Sequence, residues 1–327
     1  MIKKILNKIF YNHVAVRVMD IVLSPFTFLS CVLLLYLRKN WAYLPVSERI
    51  YNLIGIFPIK DHYYEPMFNA SKEIKESLRL DRSLPGLDFN IEAQLELLSK
   101  LEYSSELSRI PEDGVPGNSF FFNNGFFSHG DAEFYYNIIR HFRPLKIIEI
   151  GSGNSTLIAE MAASKNCVDF LSSKCEITCI EPYEMKWLEN MDVIVKRDVV
   201  ENIPVSFFSQ LNKNDILFID SSHMIRPQGD VLYELLEILP TLKPGVLIHI
   251  HDIFTPKNYP DQWIIKDHRF WNEQYLLEAF LSCNKDFTIV GSLNYLHHNH
   301  RSLFFSKMIL KKTNREIEPA SFWIIKN

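Results

Sequence analysis

Between Glu149 and Asp252 the chain carries acidic, glycine and histidine residues, each at the end of a short apolar run. The first group is Glu149-Ile-Gly151-Ser152-Gly153-Asn154-Ser155-Thr156. Gly151 and Gly153 let a backbone turn tightly and approach a ligand. Ser155 reads as the cap of a following helix whose N–H groups face that ligand. Glu181 stands where a carboxylate can accept two ribose hydroxyls, and Asp198 where one can meet an adenine amine. Asp220, with His223 three residues on, and the pair His251-Asp252 complete the series. A dinucleotide loop would want a third glycine where Thr156 stands, and a ribose carboxylate nearer than Glu181, thirty residues past Gly151. Glu149 points instead to a ligand with a cationic amino group. His251 or His223 could take a proton from a hydroxyl.

These residues need strands to hold them. From Lys146 short apolar runs alternate with helical stretches, the pattern of βαβ units and a parallel sheet. The runs are Lys146–Ile150, Glu176–Ile180, Asp192–Val195, Asp215–Ile219 and Gly245–Ile250, each short and apolar enough for a strand buried on both faces. Helices are expected at Ser155–Ala163, Asp230–Leu239 and Asn272–Leu281. Strands at Phe287–Val290 and Ser321–Ile325 predict an antiparallel ending. The fold class is α/β: a doubly wound, mostly parallel seven-stranded sheet with a terminal antiparallel strand and an N-terminal helical extension. Ligands bind such sheets at the carboxyl ends of the strands, where every residue singled out above lies.

Glu149-x-Gly151-x-Gly153, Glu181, Phe218-Ile-Asp220 and Lys243-Pro-Gly245 together resemble the motifs of class I S-adenosylmethionine-dependent methyltransferases. Ile219-Asp220-Ser-Ser-His223, Asp230 and His251-Asp252 resemble the bacterial branch labelled methyltransferase family 24. So do the stretches from Asp252 to Tyr275 and from Gly55 to Pro66. The resemblance implies S-adenosylmethionine as cofactor. Gly151, Ser152 and Gly153, with Asn154 and Ser155 adjoining, would cradle its methionine portion. Glu181 would hold the ribose, and Asp198 with Val199 the adenine. Ser155 departs from the glycine many relatives carry. Related methyltransferases of the catechol type place a divalent cation at the positions of Asp220, His251 and Asp252. Mg²⁺ prefers oxygen ligands, so His251 favours Mn²⁺, or no metal with a histidine base. The implied activity is methyl transfer to a hydroxyl of a small-molecule, glycan or lipid-linked acceptor. The alternatives are an NAD(P)-dependent oxidoreductase and a non-catalytic cofactor-binding scaffold.

A net charge of −4 over 327 residues offers no basic field for nucleic acid. Five cysteines, an odd number in a large chain, argue against a disulfide framework; Cys175 and Cys179 read as small apolar residues beside a strand. Residues 1–40 read as a membrane-associating segment. Ile2, Ile5, Leu6, Ile9 and Phe10 recur at helical spacing among Lys3, Lys4 and Lys8, up to about Met19. Ile21 to Leu37 then runs uncharged for seventeen residues, the low edge for a bilayer span, with Pro25 inside it. A cofactor drawn from the cytosol puts the catalytic domain inside, and a span would then export Lys3, Lys4, Lys8 and Arg17. A peripheral or monotopic contact through residues 1–37, on the inner face of the cytoplasmic membrane, avoids that conflict. Packing on the protein itself or at a homo-oligomer interface is the alternative. Residues 41–121 read as a helical cap, with helices at Lys72–Leu80 after Ser71 and at Ile91–Leu101, and 122–327 as the methyltransferase domain. Asp61-His-Tyr-Tyr-Glu-Pro66 reads as a plug between cap and core or as cleft lining. Leu296-His297-His298-Asn299-His300 reads as an exposed polar loop.

Overall fold

A computed structural model describes residues 13–115, 119–171, 174–183, 185–309 and 317–327. The chain forms two compact units, Met1–Lys75 and Glu76–Asn327, so the boundary falls inside the segment 41–121.

In the second unit seven strands form one sheet: β1 Lys146–Ile150, β2 Glu176–Ile180, β3 Ile194–Lys196, β4 Ile216–Ile219, β5 Leu247–Ile250, β6 Phe287–Ser292 and β7 Phe322–Lys326. Their order is β3-β2-β1-β4-β5-β7-β6. β7 lies antiparallel between β5 and β6, and all other neighbours are parallel. Alternate residues feed two cores. Ile147, Ile177, Ile216, Phe218, Leu247 and Trp323 face one side with Ile138, Ala159 and Phe304. Ile148, Ile180, Leu217, Ile219, Ile250 and Ile324 face the other with Val231, Leu235 and Leu277. Burial on both faces explains why apolar residues run along these strands instead of alternating, with Glu149, Thr178 and His249 as buried polar exceptions.

The helices that close the first side include Asp131–Phe142, Asn154–Phe170 and Leu293–Asn299. The second side is covered by a helix whose Asp230–Tyr233 and Leu239–Thr241 turns flank a π-helical Glu234–Ile238, and by Glu273–Leu281. Three expectations need correction. The helix after β1 starts from Gly153, and the Thr156 hydroxyl, not Ser155, accepts the Gly153 N–H at 3.1 Å. His297 sits buried on Leu293–Asn299 rather than in a polar loop, because Leu293 and Leu296 on that helix pack into the core. The helix expected over Lys72–Leu80 shrinks to Ala70–Glu73 behind Asn69. Beyond it the Leu78 carbonyl accepts Asn258 N–H and Arg82 N–H donates to the Pro256 carbonyl, so tertiary pairing displaces local helix. The helix Ile91–Lys100 forms as its pattern predicts.

In the first unit one helix, His13–Lys39, contains the uncharged run Ile21–Leu37; Met1–Asn12, most of the expected amphipathic segment, lie outside the described residues. Pro25 cannot donate to the Ile21 carbonyl, and the Ser24 hydroxyl takes that acceptor at 2.8 Å. Ile21, Phe26, Leu29, Leu33 and Tyr36 are all exposed, and the helix is long and apolar enough to cross a membrane. Glu65 pairs with Arg38 at 2.8 Å, and within this unit Tyr63 and Tyr64 are exposed.

Candidate active site

The strand order reverses between β1 and β4, which opens a crevice at their carboxyl ends. The ladder runs one residue past each strand. Gly151 N–H donates to the Ile180 carbonyl at 3.0 Å, Asp220 N–H to Ile150 at 2.8 Å and His251 N–H to Ile219 at 2.9 Å. These bonds fix Gly151, Asp220 and His251 side by side. Gly151 has φ 76°, and a Cβ there would stand 1.8 Å from the Asp220 carbonyl oxygen, so the turn admits only glycine.

A cavity of about 270 Å³ lies over this turn, lined by Gly151, Ile180, Glu181, Val199, Val200 and Asp220 among others. Glu181 is fixed at its edge by N–H donors from Ser152 at 3.3 Å and Tyr183 at 3.0 Å. A carboxylate for a ribose diol beside apolar walls for a base fits a nucleoside. The cavity thus gathers Gly151, Glu181, Val199 and Asp220. Glu149, Ser152, Gly153, Asn154, Ser155 and Asp198 lie off its wall. Glu149 is fully buried, with Tyr135 Oη and Thr156 Oγ1 donating to its two oxygens. Burial pushes its carboxyl up to about 7, against those hydrogen bonds. Asp198 turns to its own neighbours, accepting Val199 N–H and the Asn202 amide.

A larger cavity, about 460 Å³, is lined by His251, Asp252, Asp131, His129, Phe126 and Trp263 among others. Asp220, His223 and Asp252 each offer one ligand atom, all within 4.8 Å of one another. Asp220 lines the smaller cavity and Asp252 the larger, so this trio stands at the boundary between them. His223 Nε2 is 3.3 Å from Asp220 Oδ1 and 3.5 Å from Asp252 Oδ2. Asp220 and Asp252 of the expected set thus stand together with His223, and His251, the third expected member, lies beside them. His251 Nε2 is 3.7 Å from Asp252 Oδ1, while its ring packs against Phe127. His223 and Asp252 both adopt left-handed backbone, φ 59° and 57°, strain of the kind that persists where the surroundings impose it.

Burial raises the cost of charge on both carboxylates. His251 and His223 nevertheless hold the Asp220 carboxyl below its usual range, whereas burial keeps Asp252 above it. Burial opposes charge on His223 and His251 as well, yet the surrounding acids raise both. His249, two residues before His251, is a neutral core residue: burial drives it well down, and it bonds Ser321 Oγ at 2.9 Å.

Two acid–histidine pairs were not assigned roles from sequence. Glu273 Oε2 lies 2.8 Å from His223 Nδ1. Glu133 Oε1 lies 2.8 Å from His129 Nδ1, beneath Phe122 stacked at 3.9 Å, and His129 faces the larger cavity. The second pair carried a signal in its i, i+4 spacing at a helix start. The first, fifty residues apart in the chain, carried none.

The profile of a methyltransferase domain, methyltransferase family 24, matches residues 148–253. An uncharacterized protein of Archaeoglobus fulgidus is 35% identical over 177 residues, covering 49% of this chain and 76% of its own. That relative is archaeal, and nothing ties the chain to a bacterial source. Among solved structures, the O-methyltransferase of Bacillus cereus in complex with S-adenosylhomocysteine aligns at TM-score 0.36 and 13% identity, covering 72% of this chain and 91% of that one. The O-methyltransferase of tomaymycin synthesis from Streptomyces achromogenes, in complex with S-adenosylmethionine, aligns at 0.35 and 13%, covering 79% and 93%. Assignment rests on the archaeal relative and on the domain profile, which spans the glycine turn and the acids from Glu181 to Asp252. The chain belongs to the class I S-adenosylmethionine-dependent methyltransferases.

Proposed function

We propose that the protein transfers a methyl group to a hydroxyl of a small-molecule, glycan or lipid-linked acceptor held in the larger cavity. The observation that carries this is the placement of Asp220, His223 and Asp252 between a nucleoside-sized cavity and a second, larger one. S-adenosylmethionine supplies a methyl group already activated on a sulfonium. The protein's task is alignment, worth several kcal/mol when the reacting atoms are held in line. Glu181 grips the ribose, and Val199 and Val200 flank the base. Asp220, His223 and Asp252 would hold a divalent cation. Two carboxylates with an imidazole suit Mn²⁺ better than Mg²⁺, and such an ion would polarise the acceptor oxygen. His251, on the acceptor side, takes the hydroxyl proton at Nε2.

Calorimetry with S-adenosylhomocysteine tests the cofactor site. Incubation with S-adenosylmethionine carrying a ¹³C methyl, against hydroxylated, amine and thiol acceptors, tests the chemistry. An O-methyl carbon resonance is expected; N-methyl or S-methyl products alone would overturn the hydroxyl reading.

The helix His13–Lys39 supports membrane attachment on the cytosolic side. Its 27 residues extend about 40 Å against a hydrocarbon core of about 30 Å. The full chain should float with phosphatidylcholine vesicles, and arginines at Leu29 and Val32 should release it; flotation unchanged by both would overturn attachment through this helix.

A further inference from the structure

The middle ligand atom of the trio is aimed by residues outside it. His223 lies on the loop after β4, far in sequence from the helix Glu273–Leu281, yet the start of that helix holds it on three sides. Its Nδ1 is 2.8 Å from Glu273 Oε2. Its carbonyl accepts N–H donors from Asn272 at 3.1 Å and Glu273 at 3.2 Å. The indole of Trp271 lies over its ring, centroids 4.4 Å apart. Two residues on, Ile225 N–H donates to Asn272 Oδ1 at 2.6 Å. This clamp accounts for the left-handed backbone at His223, a conformation that a β-carbon disfavours and that must be imposed.

Glu273 is 1% exposed, and its other oxygen, Oε1, has no hydrogen-bond partner among the described residues. A buried carboxylate is costly, so its one strong contact must be what it is there for. An imidazole whose Nδ1–H is held by a carboxylate presents a lone pair at Nε2. Here Nε2 is the atom directed at Asp220 and Asp252, at 3.3 and 3.5 Å.

We propose that Glu273 is a positioning residue which fixes the His223 tautomer and ring, committing Nε2 to a divalent cation shared with Asp220 and Asp252. The proposal rests on the cation reading above and adds to it the residue that sets the site's affinity. It also explains why His223 rather than His251 joins the trio. Among the described residues no carboxylate bonds His251 Nδ1, which is buried without a hydrogen-bond partner.

The test is Mn²⁺ binding to the full chain after chelator treatment, followed by electron paramagnetic resonance of the free ion. The wild-type protein binds Mn²⁺, and Glu273→Gln weakens it about 10- to 100-fold, the usual effect of removing a carboxylate behind a histidine ligand. Affinity for S-adenosylhomocysteine, measured without metal, stays within about twofold of wild type. Glu273→Asp, which keeps the charge but draws it back by one methylene, gives a smaller loss. Mn²⁺ affinity unchanged in Glu273→Gln overturns the positioning role. Failure of the wild-type protein to bind Mn²⁺, Zn²⁺ or Mg²⁺ overturns the cation reading and this proposal together, and does so before any variant is made. Should Glu273→Gln not fold, ¹⁵N spectra of the wild-type histidines with Zn²⁺ decide: His223 must keep its proton on Nδ1, and a proton on Nε2 refutes the proposal.

Discussion

Glu149 lies at the centre of the fold, in β1 beside the glycine turn, and its burial makes stability depend on pH in a calculable way. In the unfolded chain its carboxyl titrates near 4.5; in the folded protein burial raises it to about 7. Between these values the folded state binds more protons than the unfolded one. Stability therefore falls as pH rises from 4.5 through 7. The whole gap corresponds to about 3 kcal/mol, of which about 1 is already lost at pH 5. Glu149→Gln keeps the shape and cannot ionise. Tyr135 and Thr156 can still bond the amide, because a hydroxyl both donates and accepts. The cofactor-free wild-type and variant proteins should be unfolded in urea at intervals from pH 5 to pH 8. The variant should gain on wild type by about 2 kcal/mol across that range, whatever their offset at pH 5, because all other groups cancel in the difference. Parallel stability curves would refute the argument. They would mean that the carboxylate is solvated or compensated in a way its surroundings do not supply.

Two other perturbations follow from the same geometry. Gly151→Ala places a methyl 1.8 Å from the Asp220 carbonyl in a left-handed residue, so the β1 turn must move. A loss of at least about 3 kcal/mol in urea unfolding is expected, with S-adenosylhomocysteine binding abolished in calorimetry. Glu133→Gln removes the buried carboxylate on His129 Nδ1. Burial lowers the His129 pKa, and Glu133 and Glu112 raise it above 6.5 on balance. The His129 midpoint, read from proton NMR, should therefore fall in the variant; an unmoved midpoint would leave Glu112 as its controlling partner.

The parts of the fold legible in the sequence are those governed by period and punctuation. Lys146–Ile150 and Glu176–Ile180 coincide with their expected runs to the residue, because strands buried on both faces are dominated by apolar side chains, Glu149 and Thr178 being buried polar exceptions. The glycine turn and the acids at strand ends were legible for a similar reason: short-range spacing puts them there whatever the rest of the chain does. What escaped was set by long-range contact. Leu78 to Arg82 has helix-forming composition, yet backbone bonds to Pro256 and Asn258 accompany a turn there instead of a helix. His251 is the expected third member because it stands with Asp220 and Asp252 at the carboxyl ends of adjacent strands. His251 stays 3.7 Å from Asp252 with its ring against Phe127, whereas His223, a loop residue with left-handed backbone, turns its ring between both aspartates. His223 does so because Trp271, Asn272 and Glu273 hold it there. No local pattern links position 223 to position 273. The pair exists only because β4 ends where the helix Glu273–Leu281 begins, so the carboxylate behind this histidine is chosen by topology rather than by proximity along the chain.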